Sequence, residues 1–120
     1  MTSPIRKTIK APDRRRRRHD RYRAEFSVTA TFLEGNEYRK LGGHCRDLSE
    51  SGIGMLLAAE INNGEVVGLH FTLPGTDMPL EIRAVVRYRR SYHYGVEFLS
   101  LNHQQREVLK CHLEGLEPVE

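Results

Sequence analysis

A chain of 120 residues has room for one domain with a single modest core, and 38% hydrophobic against 29% charged residues is a globular composition. The net charge of +3 hides an asymmetry: residues 1–23 carry ten Lys/Arg against two Asp, while residues 24–120 carry nine against fourteen Asp/Glu. A basic arm on a mildly acidic body argues against a broadly basic duplex-DNA-binding surface, no apolar run reaches the ~18 residues of a membrane span, and the basic N-terminus lacks the apolar segment of a secretory signal.

Residues 1–16 have no apolar periodicity and contain Pro4 and Pro12, so they are expected to be disordered without a ligand. The run from Arg14 to Arg23, RRRRRHDRYR, packs seven arginines into ten residues. From Glu25 the pattern becomes alternation: Phe26, Val28, Ala30 and Phe32 share one face, with Ser27, Thr29 and Thr31 between them, which predicts a half-buried strand. Glu34-Gly35-Asn36 predicts a turn and Tyr38 to Cys45 the returning strand. Asp47 to Gly54, DLSESGIG, is dense in turn formers. Met55-Leu56-Leu57 resumes an apolar run, and Asn62-Asn63-Gly64 is a strong turn signal. Glu65 to Leu73 alternates, Pro74-Gly75-Thr76-Asp77 turns, and Leu80–Tyr88 with Tyr92–Leu99 forms a second hairpin-like pair. Tyr88, Tyr92 and Tyr94 are expected on the barrel surface.

After Ser100 the period lengthens. Asn102 with Gln105 three residues later reads as a capping box; Leu109, Leu113 and Leu116 mark one helical face; Gly115 is the expected stop. The expected fold is mainly β: a six-stranded antiparallel β-barrel with a C-terminal α-helix and a flexible basic N-terminal arm, because barrel closure removes exposed strand edges. The expected organisation is a disordered tail over residues 1–13, a ligand-binding domain over 14–116 that includes the arginine arm, and a short tail over 117–120.

Cys45 and Cys111 are far apart and fit no metal spacing, so they read as reduced thiols of a cytoplasmic protein. The histidines show no HxxxH or HxH spacing, and no nucleophile stands beside a base, so neither a metal site nor an enzyme is expected. Two pieces carry the chemistry instead. Arg17-x-x-x-Arg21 precedes the first strand, and Asp47-x-Ser49-x-x-Gly52 follows the second. Arginine forks grip phosphate bidentately and stack on bases. An Asp carboxylate accepts two parallel hydrogen bonds, and the N1–H and N2–H of guanine offer the matching donors. Ser49 adds a hydroxyl for phosphate or base, and Gly52 permits close approach. Together these residues describe a site for a guanine nucleotide with more than one phosphate-bearing face. Within the arginine run, Arg14-x-x-x-Arg18 is an alternative pairing; Arg17/Arg21 keeps the arm nearer the first core position, Phe26.

On RRRHDR (Arg16–Arg21), DLSESG (Asp47–Gly52) with the following IGM, and YGVEFLSLNHQQREVL (Tyr94–Leu109), the chain resembles the PilZ domain family, bacterial receptors for cyclic di-GMP. The resemblance spans roughly Arg14 to Leu113. It implies that Arg17 and Arg21 contact phosphates and stack on guanine, that Asp47 binds a guanine edge, and that Ser49 and Gly52 complete the pocket floor. It implies further ligand contacts from Arg16, which bears on whether one or two ligands bind, and from Arg87 as a base-stacking side chain near the end of the fifth strand; Arg18, a surface residue of the run, lies within reach of a phosphate. The implied function is an adaptor that signals through a separate downstream protein, with cyclic di-GMP as ligand and no cofactor. The competing reading is a nucleic-acid-binding protein that uses the arm non-specifically; it accounts for the arm but not for DxSxxG.

Overall fold

A computed structural model describes residues 20–116. Six strands occur in chain order: β1 Tyr22–Glu34, β2 Glu37–Leu48, β3 Gly52–Leu56, β4 Val66–Thr72, β5 Pro79–Arg90 and β6 His93–Phe98; helix α1, His103–Leu113, follows. Every strand pairing is antiparallel, and the order β1-β2-β3-β6-β5-β4 closes on itself as a barrel. The closing seam joins β4 to β1 through three residue pairs, Thr29–His70, Ala30–Leu69 and Thr31–Gly68. The expected fold of six strands and a C-terminal helix is therefore observed. The expected tails at 1–13 and 117–120 lie outside the described residues.

Alternation places the core. Val28, Ala30 and Phe32 of β1, Val67, Leu69 and Phe71 of β4, and Ile82, Ala84 and Val86 of β5 are buried, and Phe26 stacks on Phe71 with ring centroids 5.4 Å apart. Each large side chain removed from water contributes roughly 1.5–3 kcal/mol, which makes this inward face the main source of stability. Tyr94, expected on the surface, is instead fully buried. Its ring fills the barrel, and its hydroxyl donates to the Ala59 carbonyl and accepts from the Ile61 amide at 3.0 Å. A phenol can occupy a core when its oxygen finds such partners.

β1 and β2 join through Gly35-Asn36, with Gly35 at φ 64°, a conformation that glycine enters without the usual Cβ penalty. The capping box on α1 is present: the Asn102 side chain accepts from the Gln105 amide at 2.7 Å and the Gln105 side chain accepts from the Asn102 amide at 3.0 Å. Leu109 and Leu113 are buried, and Gln105 also donates to the Glu81 carbonyl at 3.1 Å, which ties the helix start to β5. Gly115 lies past the helix end, but the cap is Glu114 in right-handed geometry. Among the described residues no helix is long and apolar enough to cross a membrane.

The largest departure from expectation is DLSESGIG. Only Ser49–Ser51 forms the connection; Asp47 and Leu48 end β2, and Gly52 to Gly54 begin β3. The ladder is also interrupted three times: in β1 between Arg23 and Phe26, in β2 between Cys45 and Asp47, and in β5 between Val86 and Tyr88. Such bulges bend a strand and re-aim the neighbouring side chains.

Candidate functional site

Arg46 is the residue skipped in the β2 ladder, and its neighbour Asp47 pairs with Arg23 on one side and Gly54 on the other. Cys45 before it and Leu48 after it are buried, so the interruption leaves Asp47 between two inward residues, with its own side chain about one quarter exposed. Gly54 explains how the carboxylate lies there. A Cβ on Gly54 would stand 2.7 and 2.8 Å from the two Asp47 carboxylate oxygens. The acid rests in the space where any other residue would put its side chain.

Arg21, just ahead of β1, reaches the same place: its guanidinium Nη1 donates to Asp47 Oδ1. The two residues are 26 apart in sequence and belong to the two separate motifs. The bulged Arg46 points to a different acid, with its Nε 3.9 Å from Glu25, which also meets His44 at 3.3 Å. Arg21 therefore has the Asp47 carboxylate as its partner while Arg46 is drawn elsewhere.

Ser49 is expected to offer its hydroxyl to a ligand. It is 3% exposed, and its oxygen accepts from the amides of Ser51 and Gly52, both at 3.1 Å, while its own amide donates to the Gly52 carbonyl at 2.9 Å. This is a side-chain-closed turn, the role that Ser plays readily. Gly52 is explained by packing: a Cβ there would sit 2.1 Å from the Val96 carbonyl oxygen across the ladder. Ser49 and Gly52 fix the shape of the loop that follows Asp47.

Arg87 falls at the β5 interruption and is exposed, with its Nε donating to Glu97 at 2.7 Å. Glu97 lies opposite Gly52 in the β3–β6 ladder, so Arg87 is held at the same end of the barrel as the Ser49 loop. Arg16, Arg17 and Arg18 lie outside the described residues.

Gly54, Gly95 and Tyr88, none of them among the expected site residues, also shape this place. Gly54 and Gly95 pair across β3 and β6, and a Cβ on Gly95 would meet the Tyr88 ring at 2.0 Å. Asp47, Gly54, Gly95 and Tyr88 thus form one row across four strands, in which the two glycines are covered by a carboxylate at one end and an aromatic ring at the other. The available signal was glycine inside a strand pattern, which marks close approach. Cys45, beside the site, donates its thiol to the Asp47 carbonyl at 3.3 Å, and burial, reinforced by the Asp47 charge, pushes that thiol up to about 12.

A family model, the PilZ domain, matches residues 15–115. No curated protein sequence matches the chain. Among solved structures, the Bacillus subtilis inhibitor of motility (MotI/DgrA) superposes with a TM-score of 0.64 at 21% identity, over 82% of this chain and 50% of that one. The chain thus spans half the length of that protein. The PilZ domain of Escherichia coli YcgR, solved with cyclic di-GMP, gives 0.60 at 19% identity over 79% and 86%. The PilZ domain of CeSA from a cellulose-synthesizing bacterium gives 0.61 at 20% identity over 79% and 95%. At these identities the structures speak to the fold.

Proposed function

The chain belongs to the PilZ domain family, and from that premise we propose that it is a receptor for cyclic di-GMP that acts as an adaptor for a separate protein. The observation that carries the reading is the meeting of Arg21 and Asp47 above Gly54, which joins the two motifs at one point of the barrel wall. The cyclic di-GMP in the E. coli YcgR domain of the same fold supports the choice of ligand.

In this mechanism the Asp47 carboxylate takes the N1–H and N2–H edge of one guanine, a paired acceptor for a paired donor. Arg21 gives up Asp47 and turns to a phosphate, where Arg17 joins it from the arm, with Arg16 and Arg18 adding charge. Arg87 releases Glu97 and lies flat on a base. Ser49 and Gly52 contribute by holding the loop in shape. The exchange is favourable because a partly exposed ion pair such as Arg21–Asp47 is worth about 1 kcal/mol or less, while each charge-assisted bond to ligand is worth roughly 1.5–3 kcal/mol. The arm then closes over the ligand and completes a new surface for the downstream protein. Ligand drives this only through its greater affinity for the closed state. The reading makes the protein a binding module of the cytoplasm, with no chemical step.

Isothermal titration at physiological salt with cyclic di-GMP, GTP and a short single-stranded oligonucleotide tests it. Selective binding of cyclic di-GMP is expected, with Arg21→Ala and Asp47→Ala each weakening it roughly tenfold or more while the barrel stays folded. Unchanged titrations for both variants would remove the site assignment. Salt-sensitive oligonucleotide binding without cyclic di-GMP binding would make the protein a nucleic-acid binder.

A further inference from the structure

The far end of β2 carries a second surface. Among the described residues six large apolar side chains are exposed, and three of them, Leu33 (48%), Tyr38 (76%) and Val66 (45%), line one depression of about 660 Å³. Leu33 and Tyr38 are direct cross-strand partners in the β1–β2 hairpin. Gly68, the first β4 residue in the barrel seam, lines it too, and an added Cβ there would meet nothing nearer than Thr31 at 3.9 Å. Glu65 and Arg83 also line it. A cluster of exposed apolar side chains around a hollow marks a docking face.

The charges choose the occupant. Glu34 and Arg39 on the hairpin satisfy each other at 3.0 Å. The lining itself carries one acid, Glu65, whose carboxylate accepts from the Asn62 side chain at 3.5 Å, and one base, Arg83; no ion pair joins the two among the described residues. A strongly acidic or strongly basic partner would gain from one and be repelled by the other. A two-fold axis resolves this, since each residue then meets its opposite, and it also presents a projecting Tyr38 to an open hollow twice over. A closed isologous contact requires that kind of self-complementarity.

We propose that this face joins two copies of the chain, with Tyr38 of each seated in the depression of the other and Glu65 of each facing Arg83 of the other. The interface is at the opposite end of β2 from Asp47, so it stands or falls apart from the cyclic di-GMP reading.

Sedimentation velocity of the full chain without nucleotide, from about 1 to 500 µM, tests it. The wild type is expected to pass from monomer to dimer, and Tyr38→Ser to raise the dissociation constant roughly tenfold, as loss of an aromatic anchor does. Tyr38 is mostly exposed, so that variant keeps its circular dichroism spectrum. Glu65→Arg and Arg83→Glu are each expected to stay monomeric alone, yet to associate when mixed, since the mixed pair restores both contacts. A wild type that is monomeric at every concentration would overturn the proposal. So would a mixture that fails to associate, or an Arg83→Glu variant that dimerises as tightly as the wild type.

Discussion

The two ends of β2 use glycine in opposite ways. At the hairpin end, Gly35 and Gly42 have nothing within 4 Å of where a Cβ would stand. At the motif end, Gly43, Gly52, Gly54 and Gly95 each have an atom within 2.0–2.7 Å of it. The change falls between adjacent residues, Gly42 and Gly43, just before β2 acquires β3 as a second neighbour at His44. At the open end Gly35 serves the course of the backbone, at φ 64°, while Gly42 needs neither room nor a positive φ. Glycine at the closed end makes room for something specific: the Leu56 carbonyl over Gly43, the Val96 carbonyl over Gly52, the Asp47 carboxylate over Gly54 and the Tyr88 ring over Gly95. The binding function is proposed for the end where that room has been made.

The sharpest way to break the contrast is Gly52→Ala. Its methyl would meet a backbone oxygen that cannot rotate away, so a loss of about 3 kcal/mol in chemical denaturation is expected, at the upper end of overpacking costs. Gly54→Ala separates room for function from room for folding. The obstructed group there is the end of a side chain, so Asp47 yields, stability falls by about 1 kcal/mol, and cyclic di-GMP affinity drops roughly tenfold or more. Unchanged cyclic di-GMP affinity in the folded variant would make Gly54 merely structural. Cys45, beside the closed end, extends the comparison to titration. The Cys45 thiol, raised in the folded state to about 12 from an ordinary 9.0, contributes stability that is fully present below pH 9 and is lost as pH rises toward 12. Denaturation free energies at pH 8, 9 and 10 are expected to fall more steeply in the wild type than in Cys45→Ala, by up to about 1 kcal/mol per pH unit. The smallest effect belongs to Gly42→Ala, which is expected to be neutral or stabilising by about 0.5 kcal/mol, while Gly43→Ala next to it is clearly destabilising.

The strands were legible because their signal is local. Phe26, Val28, Ala30 and Phe32 alternate within seven residues, and all four are buried. Asn102 and Gln105 spelled out the helix start for the same reason, and closure followed from the need to remove edges. The need for the closed-end glycines is not legible locally, because what demands them is across the ladder: the reason for Gly52 is at Val96, and for Gly95 at Tyr88. Ser49 was read outward as a ligand group, although its neighbours Ser51 and Gly52 already supply the amides it accepts from. Tyr94 was placed outside because sequence gives no sign of the Ala59 carbonyl and Ile61 amide that satisfy its hydroxyl. The meeting of Arg21 with Asp47 was visible only as two motifs flanking a strand pair; the contact itself depends on the bulges near Arg46 and after Arg23.

The three-pair seam between β1 and β4 has a consequence for how the barrel comes together. Ala30 and Leu69, paired at its centre, are 39 residues apart in sequence, whereas the β1–β2 ladder zips outward from a two-residue link. Bringing such distant segments together costs chain entropy before it returns many backbone hydrogen bonds. The β3–β6 ladder spans a like separation with five pairs against three, so the line along Thr29–Thr31 is expected to close late and to open early, and amide hydrogen exchange there would read it.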